Sequence, residues 1–361
     1  MAKGAVTRTL HAIDLCQRAG PVGCDNAPAP DRAGALRRHR VKHRSKQSHK
    51  PEPAHPERRQ TDLPWKTPKP SHEDPEALSL VQAIMRSPEY RRADEDIDYL
   101  QSEDTRGVRL QLDYLKAERL LEHHRIKHSI VVFGSTRIPE PKAAQRKVAE
   151  LEAVQNGPSE HWPSGLERDL RIARRLLDKS HYYEVAREFG RIVGAQEQTN
   201  GDKLALVTGG GPGLMEAANR GAHDMDATTV GLNITLPHEQ FPNPYLTPGF
   251  CFRFHYFAIR KLHFLLRARA LVIFPGGYGT LDEFFEALTL IQTRKIAPMP
   301  LILVGEDYWR GAFDPEFLVD EGVIAPEDRD LFWFAETAEE IWEDIQRWYA
   351  RAGKSIVEQE E

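Results

Sequence analysis

Cysteine, long apolar runs and net charge are all scarce in this 361-residue chain, and each scarcity excludes a class of protein. The three cysteines have neither the spacing of metal ligands nor the density of a disulfide framework, which favours a reducing compartment. No apolar run approaches the ~18 residues of a membrane-spanning helix. The formal net charge of −5 is small, so the chain as a whole carries no nucleic-acid-binding signature.

The first 20 residues also lack the apolar core of a secretory signal peptide. Few acidic residues together with Lys3, Arg8 and Arg18 could imitate an organelle transit peptide, and that alternative stays open. We expect a cytoplasmic protein with no membrane partner.

Residues 1–72 have the composition of a disordered basic tail. Residues 31–70 contain 12 Lys or Arg against 4 Asp or Glu, with many prolines and almost no aliphatic side chains. Such a segment cannot bury enough apolar surface to offset the entropy lost on ordering. A solvated tail is the simpler interpretation. The alternative is an electrostatic arm for nucleic acid or an acidic partner, and we do not expect nucleic acid.

Residues 73–125 predict a helical extension. Leu78, Val81, Ile84 and Met85 recur at three- and four-residue spacing, and a second apolar set continues the pattern around Leu121. We expect two or three helices that pack on the following domain or on a second subunit.

From residue 126 to 352, short apolar runs alternate with helical segments, and a flexible tail is expected at 353–361. Runs without polar alternation are typical of strands in a parallel sheet that helices cover on both faces. The sequence therefore predicts an α/β fold: a doubly wound, Rossmann-like parallel sheet. Between the third and fourth of its strands we predict one mostly buried helix over residues 254–267.

Three glycine-containing loops follow predicted strands, so all three are expected at the carboxyl edge of the sheet. They lie at residues 134–137, 208–213 (TGGGPG) and 275–279 (PGGYG). The second is not a dinucleotide fingerprint, because Leu214 stands where the third glycine would be, and it is not a P-loop. Glu216 follows on the next helix and could bind a ribose or base, or only favour the helix dipole.

The third loop is the most informative. An apolar run ends at Pro275, and Gly279-Thr280 is expected to open a helix with Thr280 at its N-cap and Glu283 one turn further on. Glycines let backbone N–H groups approach a ligand, and a helix N-terminus favours an anion. A phosphate cradle with a carboxylate one turn away suggests a nucleotide or sugar-phosphate site with acid–base or cation-stabilising chemistry.

Charged residues flank this loop in the sequence. Arg260 and Lys261 lie on the predicted buried helix, where a guanidinium needs a partner such as a phosphate or Glu283. Glu283 and Glu286, three residues apart, are predicted to share one helix face and Asp282 to point elsewhere.

These motifs together resemble the LOG (Lonely Guy) family of cytokinin riboside 5′-monophosphate phosphoribohydrolases, also labelled lysine decarboxylase-like. Residues 275–283 (PGGYGTLDE) fit the pattern P-G-G-x-G-T-x-x-E, Arg260-Lys261 fit the family's Arg-Lys pair, and residues 209–216 (GGGPGLME) fit its other glycine loop. The N-terminal additions resemble a longer bacterial subgroup. Many members read Met-His-x-Arg-Lys, whereas Phe257 and Ala258 fill the first two positions here.

The resemblance implies hydrolysis of the N-glycosidic bond of adenosine 5′-monophosphates, N6-modified or not, with release of the base and ribose 5-phosphate. It implies no cofactor, no metal, and a homodimer or larger homo-oligomer. It makes Arg260 and Glu283 the catalytic residues. The substrate- and phosphate-binding residues that it implies are Gly134, Ser135, Gly210, Gly211, Gly213, Glu216, Lys261, Gly276, Gly277, Gly279 and Thr280.

Two other functions stay open at this point. One is a general AMP or nucleotide 5′-monophosphate nucleosidase. The other is a regulator that binds nucleotides without turning them over. The substitutions at Phe257 and Ala258 concern the base side of the site, so the sequence does not choose between the substrates.

Overall fold

The computed structural model describes residues 68–159, 162–196, 203–237 and 241–357. The chain divides into two units, Met1–Leu78 and Ser79–Glu361. In the described end of the first unit, the Asp74 N–H donates to the Pro70 carbonyl (3.2 Å) and closes a turn. The predicted disordered tail lies almost wholly outside the described residues, and the boundaries predicted for the tail, the extension and the two later segments stay predictions.

The second unit is built on one parallel sheet. The described residues give it seven strands: β1 (Ile126–Phe133), β2 (Lys203–Thr208), β3 (Thr229–Ile234), β4 (Cys251–Phe254), β5 (Ala268–Ile273), β6 (Leu301–Val304) and β7 (Trp333–Ala335). Their order is β4-β3-β2-β1-β5-β6-β7. Every side chain of β3 and β6 is buried, as expected for strands covered on both faces. The predicted fold class is confirmed.

Helices cover both faces of this sheet. The described helices are α1 (Ala77–Arg86), α2 (Ile97–Gln101), α3 (Arg106–His123), α4 (Pro141–Gln155), α5 (Leu166–Lys179), α6 (His181–Gln196), α7 (Leu214–Asp224), α8 (Phe257–Leu266), α9 (Tyr278–Gln292), α10 (Glu306–Ala312), α11 (Pro315–Asp320) and α12 (Ala338–Arg351). One core contains buried residues of α6, α7 and α12. The other contains those of α3, α8, α9 and α10. The sheet is therefore doubly wound.

The helix predicted over residues 254–267 was wrong at its start. Residues Cys251–Phe254 form the edge strand β4, and α8 begins only at Phe257. Burial alternates along β4, with Phe252 and Phe254 buried and the other two residues exposed, because an edge strand has only one covered face. The prediction that this helix is mostly buried was also wrong, since Phe257, Leu262 and Leu266 are exposed.

Helix α3 holds α8 at both ends. Near the start of α8, Asp113 accepts hydrogen bonds from the backbone N–H groups of His255 (2.8 Å) and Tyr256 (2.9 Å). Just past its end, Glu118 accepts two hydrogen bonds from the Arg267 guanidinium, both 2.8 Å. This charge-assisted pair lowers the pKa of Glu118. The orientation of α8, which carries Arg260, is thus fixed by side chains of α3.

The direction of strand order reverses between β1 and β5, which places a crevice at their carboxyl ends. The loops after β1 and β2 meet beside it, because the Leu214 N–H donates to the Ser135 carbonyl (3.1 Å). Gly213 has a φ of 74°, and a Cβ there would collide with that carbonyl. Only glycine therefore allows the two loops to approach this closely.

Candidate active site

A cavity of about 940 Å³ lies at the carboxyl edge of the sheet. Its walls come from the loops after β1, β2, β3 and β5, from the start of α9, and from side chains of α5, α8 and α10. A concave, largely apolar space with a few convergent polar groups is the usual form of a small-molecule site. Its position at the reversal of strand order is also where doubly wound sheets bind ligands.

Most of the site residues predicted from the sequence line this cavity. Five predicted residues do not line it: Gly210, Gly211, Gly213, Glu216 and Lys261. Those that do line it are Gly134, Ser135, Arg260, Gly276, Gly277, Gly279, Thr280 and Glu283. The first and third loops and the two predicted catalytic residues are therefore brought together, although their roles stay predictions.

Arg260 and Glu283 form a buried ion pair in the cavity. Arg260 Nη1 lies 3.2 Å from Glu283 Oε1, and the two side chains are 13% and 9% exposed. Arg260 Nε donates to the Leu232 carbonyl (2.7 Å), and the guanidinium carbon stacks 4.8 Å from the ring centre of Phe264. The guanidinium is thus fixed by three partners, and Glu283 is the one that the sequence had suggested as an alternative to phosphate.

Burial sets the electrostatics of Glu283. Desolvation raises the pKa of its carboxyl to about 7, against the opposing effect of the Arg260 and Lys261 charges. Burial also lowers the pKa of Arg260, but a guanidinium remains protonated in proteins. A carboxyl with a pKa near 7 both accepts and releases a proton at neutral pH, as acid–base catalysis requires.

The third loop runs directly into α9, which begins at Tyr278 with Gly277 as its N-cap. Thr280 is therefore the third residue of the helix, and its prediction as the N-cap was wrong. A Cβ at Gly276 would collide with the Thr280 side chain, so glycine at this position lets the first turn of α9 fold back onto the loop. Gly277 and Gly279 have open space beside them, which exposes the start of a 15-residue helix to the cavity.

In the second loop, residues 208–213, Gly209 lines the cavity and the other residues do not. Asn243 holds it: its N–H donates to the Gly210 carbonyl (2.9 Å) and its amide to the Gly211 carbonyl (3.1 Å). Gly209, which was not among the predicted site residues, lines the cavity, and a Cβ there would lie 2.6 Å from Arg260 Nη2. Its position in the glycine run was the available signal.

Glu216 and Lys261, which do not line the cavity, are held by other side chains. Glu216 accepts a hydrogen bond from the Tyr183 hydroxyl (3.0 Å) on α6. Lys261 Nζ bridges Asp282 (2.9 Å) and Glu286 (2.8 Å), tying α8 to α9. The prediction that Asp282 points away from this face was therefore wrong, because Asp282 and Glu286, four residues apart, share Lys261. That Glu283 and Glu286 share a face stays a prediction.

Three further cations line the cavity: Arg137, Arg175 and Lys179. The last two lie on α5, whose position over the cavity could not be read from the sequence. In the described part of the chain, no three His, Cys, Asp or Glu side chains are grouped to hold a metal ion. Nor does any described helix combine the length and apolarity needed to cross a membrane.

Comparison with known proteins gives a consistent set of relatives. A family model described as "Possible lysine decarboxylase" matches residues 215–345, which include Arg260 and Glu283. "Cytokinin riboside 5′-monophosphate phosphoribohydrolase LOG3" of Arabidopsis thaliana is 28% identical over 175 residues, 47% of this chain and 77% of the relative. The protein named LOG in Oryza sativa subsp. japonica, with the same activity in its name, is 30% identical over 45% of this chain and 65% of its own length.

A further relative, the probable cytokinin riboside 5′-monophosphate phosphoribohydrolase LOG6 of Arabidopsis thaliana, is 31% identical over 154 residues. The match spans 40% of this chain and 73% of the relative. Among solved structures, the X-ray structure of TM1055 matches at 21% identity and a TM-score of 0.35, over 61% of this chain and 99% of that chain.

Proposed function

Because this chain belongs to the LOG family, we propose that it hydrolyses the N-glycosidic bond of adenosine 5′-monophosphates, with or without an N6 substituent. The products are the free base and ribose 5-phosphate. The buried Arg260–Glu283 pair carries the proposal, because it supplies a carboxyl with a pKa of about 7 inside a cavity at the end of a phosphate-binding type of loop.

The chemistry that these residues would perform follows from the charge that develops. As the bond from C1′ to the base nitrogen breaks, its electron pair leaves with the base and positive charge builds on the ribose. Ionised Glu283 would stabilise that charge and take a proton from the attacking water, whose oxygen bonds to C1′. The released base takes up one proton, which balances the reaction.

Arg260 would act on Glu283 rather than on the leaving group. Its charge favours the ionised carboxylate and its fixed guanidinium orients the Oε1 atom. The exposed start of α9 and the glycines before it would receive the 5′-phosphate.

The test is base release from AMP and from isopentenyladenosine 5′-monophosphate, each compared with its dephosphorylated nucleoside. We expect release from the monophosphates only. The ratio of the two rates distinguishes an enzyme for cytokinin ribotides from a general nucleotide nucleosidase. AMP binding without base release from any of the four compounds would contradict the proposal and would support a nucleotide-binding regulator.

Activity is expected to rise with pH through about 7. Glu283 is needed as a carboxylate, and burial raises its pKa to about 7. Because that pKa lies above the 4.5 of an exposed Glu, the folded state holds this proton longer than the unfolded state does. The contribution of protonated Glu283 to the free energy of unfolding is therefore complete below pH ~4.5 and is lost as pH rises through about 7. Activity and this contribution to stability thus change in opposite directions with pH.

The measurement is kcat at saturating AMP, with urea unfolding over the same pH range. Saturation matters because a phosphate monoester itself titrates near pH ~6. A kcat that is flat from pH 5.5 to 8 would show that ionisation of Glu283 does not limit the reaction.

A further inference from the structure

Three cations in the cavity have no anionic partner among the described residues. Arg137 follows β1, and Arg175 and Lys179 lie one turn apart on α5. Lys179 Nζ donates to the Arg175 carbonyl (3.3 Å). By contrast, Arg174 on the same helix pairs with Glu152 at 2.7 Å. Cations gathered at one cavity without a partner among the described residues are positioned for the anion of a ligand.

The net charge of the cavity lining indicates how much negative charge that anion carries. Among the described residues, the charged lining consists of four cations and two carboxylates: Arg137, Arg175, Lys179, Arg260, Asp282 and Glu283. With Glu283 ionised, two positive charges are left over. A phosphate monoester carries about −1.5 to −2 at pH 7, whereas a ribose and an adenine are neutral. The excess therefore matches a single monoester dianion.

We propose that Arg137, Arg175 and Lys179 form a phosphate-recognition wall that selects a 5′-monophosphate over the corresponding nucleoside. The proposal rests on the proposed function for the identity of the substrate. All three residues precede the segment 215–345 matched by the family model. Selection for the phosphate would then come from α5, a helix between β1 and β2, in addition to the glycine loop.

The wall acts on binding more than on the chemical step. Arg137 and Arg175 are exposed, so water and salt screen their attraction for the phosphate. That attraction is present in the bound substrate and in the transition state alike, and uniform binding of this kind changes KM without changing kcat.

The test is the double variant Arg175→Gln/Lys179→Gln in the full chain. Its matched control is Arg171→Gln/Arg174→Gln, which removes the same charge from α5 at two exposed positions outside the cavity lining. We expect the wall variant to raise KM for AMP about 10-fold and to lower kcat less than about 2-fold. The affinity for ribose 5-phosphate and for inorganic phosphate, measured by calorimetry, should fall by a similar factor. Lys179→Arg, which keeps the charge, should weaken both less than Lys179→Gln does.

The binding arm separates this proposal from the proposed function. Unchanged Kd for both probes in the wall variant, or no binding of either by the wild type, would overturn the wall even if base release is normal. Loss of probe binding in the wall variant alone would support the wall even if no base is ever released. An equal loss in the control variant would overturn it, since the effect would then be one of general charge.

Discussion

Glu283→Gln is expected to lower kcat for base release by about 10²- to 10⁴-fold while AMP binding is retained. Glutamine has the shape of glutamate, and its amide oxygen can still accept the hydrogen bond that Arg260 Nη1 donates to Oε1. It can neither take a proton from water nor supply a full negative charge to the ribose. The substitution therefore removes the proposed chemistry and leaves the walls of the cavity in place.

The measurement is single-turnover base release from AMP, with the Kd of AMP determined for the same preparation. Glu286→Gln is the matched control, since it changes the same residue type three positions on, outside the cavity lining and beside Lys261. The control should keep kcat within a few-fold. A Glu283→Gln protein with wild-type kcat would refute the assignment of this carboxylate. One that loses AMP binding would make its role structural.

The sequence was sufficient where local pattern determines the structure. The unbroken apolar runs predicted the parallel sheet, because strands covered on both faces need no polar alternation. The third loop was predicted because a strand, a glycine turn and a helix follow one another within residues 270–283. The Arg260–Glu283 pair was one of two predicted alternatives, the other being a phosphate, because a buried guanidinium must be paired.

Features that depend on tertiary packing could not be predicted. The strand β4 has four residues with only two buried, and this pattern is too short to distinguish from the helix that follows it. Helix α5 has charged residues along most of its length, and only the fold decides that Arg175 and Lys179 face the cavity. The wrong prediction for Asp282 has the same origin, since spacings of three and four both place residues on one helix face and only the fold decides which of them share Lys261.

Arg260→Ala is expected to lower base release at pH 7 by more than about 100-fold and to move the rise of activity to higher pH. The reason is the state of Glu283, whose pKa is already about 7 through burial and is held from rising further by the Arg260 charge. Without that cation the pKa rises, and the buried carboxyl becomes neutral rather than remaining as an unpaired charge. A neutral Glu283 cannot accept a proton or stabilise the ribose cation.

The pH profile separates this role from direct binding of the substrate by Arg260. Part of the missing kcat should return between pH 7 and 9 in Arg260→Ala, whereas removal of a direct bond to the substrate would lower the rate at every pH. Arg260→Lys keeps the charge but loses the guanidinium that donates to the Leu232 carbonyl, so its pH profile should shift less than that of Arg260→Ala. In the double variant Arg260→Ala/Glu283→Gln, the losses of kcat caused by the two single substitutions should not add, because Arg260 is proposed to act through Glu283. If the two losses add in full, and if the activity of Arg260→Ala rises at the same pH as in the wild type, then Arg260 acts on the substrate directly.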